Sequence, residues 1–344
     1  MVAPAIPIKN LYYLLCYAWD QLEQAALIDV SGAPTTELVD LLAAVLCDGI
    51  RHLSRRGLEQ GYQYYEEELS GVRGRIDLSS SSGQIALVRG NAICRYDDLT
   101  VNTLANQLIK STLRAISRVT TLDQGLRKRV RSYHRGFRDV QEVQISEALF
   151  QLVQIHANNR FYRFLLNVCE LVFSSLLVDQ SSGEYRFRDF IRDERRMPRL
   201  FQKFLFNFAK RECKQWTTQI EQIKWKATSE TDVGISLLPR METDISLTQQ
   251  HRHMIVDAKF YRETLSSYYD SEKVHSANLY QMISYLLNRE PHDDVNVSGM
   301  LLYPQVDRKL RERYNILGCE VAICTMDLSQ PWKCIDSELR ELFS

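Results

Sequence analysis

Three charged residues in the C-terminal half have a spacing that could do chemistry: Asp244, Asp257 and Lys259 read D-x12-D-x-K. Met254-Ile255-Val256 gives the second segment strand character, and Ile245 and Leu247 do the same for the first. The stretch between them, Thr248 to His253, is polar and too short for a helix, so the spacing predicts a β-hairpin. Alternate residues of a strand share a face. Asp257 and Lys259 therefore point the same way as Ile255, while Val256, Ala258 and Phe260 point into a core. On the partner strand Glu242, Asp244 and Ser246 share a face opposite Thr243, Ile245 and Leu247. An acid on one strand thus faces an acid and an amine on the next. A buried, unpaired carboxylate costs several kcal/mol, so such groups are paired, protonated or bound to a metal. Two adjacent carboxylates suit a hard divalent cation such as Mg2+, and the ammonium could hold a water or offset charge on a phosphoryl group. A surface strand with an ordinary ion pair would show the same spacing.

A second element adds to the pattern. His275 to Leu287 reads as a helix with Leu279, Met282, Ile283, Leu286 and Leu287 on its apolar side. Gln281 and Tyr285, four residues apart, share one side of it, where an amide and a phenol could orient water or a phosphate. A polar stripe on a core helix is the alternative.

The elements that must position these groups can be followed along the chain. Leu11 to Trp19 reads as an aromatic-rich helix with Asn10 as N-cap, and Thr36 to Leu53 as another, stopped at Gly57. Residues 62–96 are turn-rich β structure with strands at Ile85–Val88 and Ala92–Tyr96. Gly71-Val72-Arg73-Gly74-Arg75-Ile76 offers Arg73 and Arg75 on a glycine-flexible backbone, for phosphate or for an acidic protein surface. A long helix is expected from Thr100 to about Val119. The stretch from Lys110 to Arg138 is the most basic in the chain; it includes Arg127, Lys128 and Arg129, with Tyr133 and Phe137 interleaved, and could meet DNA or an acidic partner. Helices follow at Arg160–Leu177 and around Leu200–Phe208, then strands at Ile220–Ala227, the hairpin, Ser298–Pro304 and Glu320–Met326, with Glu338–Phe343 in a terminal helix. The expected fold is mixed α/β (α+β). Domains are expected at 1–165, a partner-docking part with helices and a β-rich lobe at about 60–96, and at 166–344.

Composition sets bounds. The chain has 344 residues, 45% hydrophobic and 25% charged, with 43 basic and 43 acidic side chains. This is enough for two domains, and DNA affinity must come from local patches rather than a global positive field. No apolar run approaches the ~20 residues of a membrane span; Leu11–Trp19 is interrupted by tyrosines and no cleavage site follows it, so a cytoplasmic protein without membrane contact is expected. Eight cysteines show no C-x-x-C, which favours reduced, mostly buried thiols. His251 and His253 are expected to be structural or solvent-facing rather than metal ligands.

D-x12-D-x-K is the pattern of the PD-(D/E)xK nucleases, and Q-x-x-x-Y accompanies it in one subgroup. The blocks Ile6–Trp19, Leu53–Gly57, Gly71–Ile76, Leu237–Ile245, Ile255–Tyr261, Asn278–Tyr285 and Gly299–Pro304 together resemble the McrC family, the nuclease subunit of the McrBC modification-dependent restriction system. The resemblance implies a C-terminal restriction-endonuclease-like core with Asp244, Asp257 and Lys259 catalytic, and Asp244, Asp257 and the Ala258 carbonyl on Mg2+. It also implies docking of the N-terminal part onto McrB, a hexameric AAA+ GTPase that recognises methylated cytosine, stimulation of that GTPase, and cleavage of double-stranded DNA. GTP would be bound by the partner, since this chain has no G-x-x-x-x-G-K-[ST] loop. Such nucleases often carry an acid on the helix before the metal strands. Here that position is Gln202, and Glu242 is a possible substitute. A stand-alone repair or recombination nuclease and a non-catalytic GTPase-activating adaptor are the rival readings.

Overall fold

The computed structural model describes residues 6–28, 37–77, 89–155, 159–178, 185–187, 195–230, 234–261, 266–268, 271–289, 295–306 and 308–344. The expected strand at Ile85–Val88 lies outside them. The chain forms two compact units, Met1–Ala26 with Asp189–Ser344, and Leu27–Arg188.

The first unit begins with α1 (Ile8–Ala18) and the short α2 (Leu22–Ala25). The second unit holds α3 (Leu38–Arg56), β1 (Gly61–Leu69), β2 (Arg75–Ile76), β3 (Ala92–Thr100), α4 (Leu104–Ile116), α5 (Gln124–Gly136), α6 (Glu147–Leu152), α7 (Arg160–Ser175), β4 (Leu176–Val178) and β5 (Tyr185–Phe187). The first unit resumes with α8 (Arg196–Glu212), β6 (Thr217–Gln219), β7 (Gln222–Ile223), β8 (Met241–Glu242), β9 (Ile245–Gln249) and β10 (Arg252–Ala258). It ends with β11 (Ser266–Tyr268), β12 (Ser271–Lys273), α9 (Ser276–Asn288), β13 (Asn296–Pro304), β14 (Arg311–Ile316), β15 (Cys319–Met326) and α10 (Trp332–Leu342).

The division differs from the expected one at 165/166, and side-chain packing explains why. Tyr17 of α1 meets Phe204 and Phe208 of α8 at 5.7 and 5.4 Å between ring centroids, and Asn207 Nδ2 donates to Tyr17 O at 2.8 Å. The N-terminal helix is therefore part of the C-terminal unit. Asn10 is no N-cap: α1 starts after Pro7, and the buried Asn10 donates through Nδ2 to Leu328 O and Gln330 O at 2.8 and 2.7 Å. At the other edge, the Tyr162 hydroxyl of α7 accepts from the Glu59 amide at 2.7 Å and donates to Asn106 Oδ1 of α4 at 3.0 Å, which keeps α7 in the second unit.

In the second unit, α3, α4 and α7 enclose a core that includes Leu42, Leu46, Leu108, Ile109, Phe164 and Leu165. Helix α3 stops at Gly57, whose φ of 90° is open to glycine at little cost. Helix α4 starts four residues later than expected, where the Thr103 side chain accepts from the Asn106 amide. The β-rich stretch is, among the described residues, a three-stranded antiparallel sheet in the order β1-β3-β2.

In the first unit a six-stranded mixed sheet runs β14-β15-β13-β10-β9-β6. Strand β10 is central, parallel to β13 and antiparallel to β9. The expected hairpin is present, with Val256 opposite Ile245 and Ile255 opposite Ser246. Ile255 faces α9 in a core with Met282, Tyr285, Leu286, Leu301 and Tyr303. On the opposite face Phe260 meets Phe201 of α8 at 5.7 Å. Helix α9 lies close to the sheet because β13 carries Gly299 beneath it: a Cβ there would stand 2.5 Å from Met282 Sδ. Of the expected strand at 220–227 only β7 is extended in a ladder, and β6 ends just before it at Gln219. Glu221 turns between them, its amide donating to Thr243 Oγ1 and its carbonyl accepting from the Thr243 amide, both at 2.9 Å. Strand β14, charged and largely exposed, was not apparent from periodicity, and α10 is longer than the expected terminal helix. No helix among the described residues is long and apolar enough to cross a membrane.

Candidate active site

Alternation along β10 and the turn into β9 bring the two acids and the lysine together. Asp257 is 1% exposed, on the face of Ile255. Lys259, just past the strand, returns along the same face, and its Nζ lies 2.9 Å from Asp257 Oδ2. Asp244 immediately precedes β9, and its Oδ2 accepts from the Ala258 amide at 2.8 Å. Both carboxylates therefore flank one backbone unit, residues 257–259.

Helix α9 completes the cluster. Lys259 Nζ donates to Gln281 Oε1 at 2.9 Å, Gln281 Nε2 donates to the Tyr285 hydroxyl at 2.6 Å, and that hydroxyl donates to Glu242 O at 2.8 Å. The four-residue spacing of Gln281 and Tyr285 is what lets one helical side make this chain. Glu242 thus contributes its backbone carbonyl, with its side chain exposed. Behind the lysine, Tyr261 OH donates to Asn278 Oδ1 and Asn278 Nδ2 donates to Tyr303 OH, each at 3.1 Å. Sequence reasoning missed this second relay. Asn278 lies one turn before Gln281 on α9, so the helical spacing could have found it.

Electrostatics follow from burial. Burial first, and then Asp257, push the Asp244 carboxyl up to about 6, against the pull of the Ala258 amide and Lys259. Asp257 is likewise raised by burial, with Lys259 opposing. Burial disfavours the Lys259 ammonium, but Asp257 and then Asp244 outweigh it and hold its pKa above the ordinary value. Burial also raises the Tyr285 phenol, which stays neutral. Neither oxygen of Asp257 accepts a well-directed hydrogen bond among the described residues; its contact with Lys259 is an ion pair by distance. A buried carboxylate left in that state wants a cation. No group of three or more His, Cys, Asp or Glu among the described residues is arranged for a metal. Asp244 and Asp257 form a two-carboxylate oxygen set, which fits a cation that keeps waters.

The other sequence candidates lie elsewhere. His253 is buried rather than in a solvent loop: its Nδ1 lies 3.0 Å from Thr248 Oγ1, and burial brings its pKa down to about 4. In the second unit, Arg73 pairs with Asp98 at 2.9 Å and lies 4.3 Å over the Tyr96 ring, while Arg75 is exposed. Much of the basic stretch holds its own unit together. Arg127 donates to Val119 O and Leu122 O at 2.9 and 3.1 Å, and Lys110 donates to Phe137 O and Val140 O at 2.8 and 2.6 Å. Arg129 pairs with Asp48 at 2.7 Å, and Phe137 is a core residue at 2% exposure. Loop carbonyls near helix ends need donors, and these side chains supply them. Lys128 remains exposed.

Three comparisons bear on this chain. The chain is 38% identical over 343 residues, covering 100% of itself and 99% of the relative, to the Escherichia coli (strain K12) "Type IV methyl-directed restriction enzyme EcoKMcrBC". Its fold is similar, with a TM-score of 0.62 at 15% identity, to a chain in a half-complex from a tetradecameric assembly of Thermococcus gammatolerans McrB AAA+ hexamers with bound McrC. That likeness covers 98% of this chain and 75% of the other. Residues 8–304 match the family described as "McrBC 5-methylcytosine restriction system component". The chain belongs to that family, as a homologue of its McrC-type subunit.

Proposed function

We propose that this chain is the DNA-cleaving subunit of a GTP-dependent restriction complex directed at 5-methylcytosine, and that its first unit is a PD-(D/E)xK nuclease core. The observation that carries the reading is the convergence of Asp244, Asp257 and Lys259 on residues 257–259, joined to Gln281 and Tyr285. Asp244, Asp257 and the Ala258 carbonyl would hold Mg2+, which when bound supplies Lewis-acid stabilisation of phosphate charge and a lower pKa for water. Lys259, held between Asp257 and Gln281, orients the attacking water and offsets charge that develops on the phosphodiester. Gln281 and Tyr285 fix the lysine by a chain that ends on the Glu242 carbonyl, so the ammonium needs little reorganisation during reaction.

The partner in this reading is an McrB-type hexameric AAA+ GTPase, which binds GTP and reads the methylated cytosine while this chain stimulates its turnover and cuts the DNA. Arg73, Arg75 and Lys128 in the second unit are the proposed contacts. The test is cleavage of methylated and unmethylated plasmid with and without the GTPase, GTP and Mg2+. Cutting only of methylated DNA with all three supports the proposal. Cutting by the chain alone would make it a stand-alone nuclease, and none under any condition would make it an adaptor.

A further inference from the structure

Beyond Tyr285, at the C-terminal end of α9, lies a cavity of about 420 Å3 whose wall includes Lys224, Trp225, Lys226, Asn288 and Arg289. Internal bonds fix its walls. Asn288 Oδ1 accepts from the Lys226 amide at 2.8 Å, and Trp225 Nε1 donates to Pro239 O at 2.7 Å. Lys226 Nζ donates to Leu287 O and Arg289 O at 3.1 and 2.5 Å. It thereby covers helix-end carbonyls that would otherwise repel an anion.

Two further cations remain on the wall. Lys224 is exposed. Arg289 Nη1 is buried and has no hydrogen-bond partner among the described residues. Its Nη2 lies 3.8 Å from Glu221 Oε1, beyond hydrogen-bond length. Glu221 is the carboxylate of the wall; its Oε2 stands 3.3 Å from Nε2 of His253, which burial keeps neutral. The positive charges outnumber the negative one, and a buried guanidinium N–H calls for an acceptor. Phosphate oxygens suit it best, because a guanidinium fork takes them in pairs.

The cavity is also joined to the carboxylate site through shared elements. Gln222 on its wall pairs in register with Glu242, whose carbonyl holds Tyr285. Arg289 follows Tyr285 by four residues, about 6 Å at the helical rise.

We propose that this cavity is a subsite for a phosphodiester group of the DNA strand that enters the Asp244–Asp257 site, bound by Lys224 and Arg289. The inference rests on the nuclease reading and says where the strand is gripped. Its test is fluorescence anisotropy of the full-length chain, alone and with its GTPase partner, on a short labelled duplex in chelator, over a range of salt. Wild type, K224E, R289Q and R289K are compared. The expected result is affinity lower by about tenfold for K224E and R289Q, a salt slope smaller by about 1, and partial recovery in R289K. Wild-type affinity and slope in both K224E and R289Q would overturn the subsite, even where wild-type protein cuts DNA normally. Absence of duplex binding by wild type would overturn it too. Titration with inorganic phosphate separates the free ion from the strand: phosphate binding lost in R289Q, with duplex affinity unchanged, would also contradict the proposal. Loss of duplex binding in the variants, with no cleavage by wild type, would leave the subsite standing and remove the nuclease reading instead.

Discussion

Asp244 accepts its hydrogen bond from the Ala258 amide, so the acid before one strand is tied to the peptide between the acid and the lysine of the next. The last pair of the hairpin ladder, Val256 opposite Ile245, sets Asp257 and Asp244 one residue beyond it on the two chains, and this bond aims the outer acid at the same backbone unit. Two acids buried side by side repel, and Lys259 offsets only one charge.

The first prediction concerns Asp257. Asp257→Asn keeps the shape of the side chain and removes a buried charge that accepts no well-directed hydrogen bond. Cleavage should fall by at least about a thousandfold, on the scale of losing one preorganised electrostatic group. Melting temperature in chelator should be unchanged or higher, as expected where a site trades stability for activity. Calorimetry beside a plasmid assay checks both. A lower melting temperature would make Asp257 a structural residue.

Asp244 predicts a pH dependence. Its carboxyl is raised to about 6, so the native chain holds this proton more tightly than the unfolded chain does, where the value is about 3.9. The site's contribution to stability is then complete below about pH 4 and is lost as pH rises through about 6. Unfolding midpoints in chelator should decline over that window, and Asp244→Asn should flatten the decline. Mg2+ affinity should run the other way, strengthening as pH rises, because ligation needs the ionised form. Chemical denaturation at several pH values, with and without Mg2+, measures both slopes.

Tyr285 tests the positioning chain. Tyr285→Phe removes the acceptor for Gln281 and the donor to Glu242 O. About 1–3 kcal/mol of stability should be lost through the carbonyl left unpaired. Cleavage rate should drop more than DNA affinity, since the phenol acts through Gln281 on Lys259. Single-turnover kinetics beside binding would show equal losses only if the tyrosine touched the DNA.

Gly299 controls how close α9 comes to the sheet. Gly299→Ala would set a methyl 2.5 Å from Met282 Sδ and 2.8 Å from its Cγ. Overpacking should cost about 1–3 kcal/mol, and cleavage should fall because α9 carries Gln281 and Tyr285. Adding Met282→Ala should recover part of the activity, so a double-mutant cycle should show strong coupling. Additive effects would mean that the helix does not move.

Arg73 and Arg75 separate docking from cutting. Alanine at both should weaken complex formation with the GTPase and its stimulation while leaving the unfolding free energy within about 1 kcal/mol of wild type, because Arg73 makes an exposed ion pair and Arg75 is exposed. Unchanged GTP turnover would place docking elsewhere.

The hairpin and the faces of β10 were legible in the sequence because burial on both sides left period-two alternation as the arrangement that seats Asp257 and Lys259 together. The Gln281–Tyr285 side of α9 was legible for a similar reason of helical period. Less was readable where tertiary contacts override local pattern. Asn10 looks like a cap but serves a distant loop, and Ile220 to Ala227 looks like one strand but turns at Glu221 to meet Thr243. The basic stretch looked free to bind because sequence does not reveal which carbonyls lack donors. Arg127 and Lys110 turned out to supply them. The unit boundary was misplaced because the packing of α1 on α8 depends on contacts about 190 residues apart.

The most direct measurement is cleavage of a methylated plasmid by the chain with its GTPase, GTP and Mg2+, for wild type and Asp257→Ala, with GTP turnover followed in the same tubes. The account predicts that wild type cuts, that the variant does not, and that both stimulate GTP turnover alike. Cutting by the variant, or loss of GTP stimulation along with cutting, would contradict it.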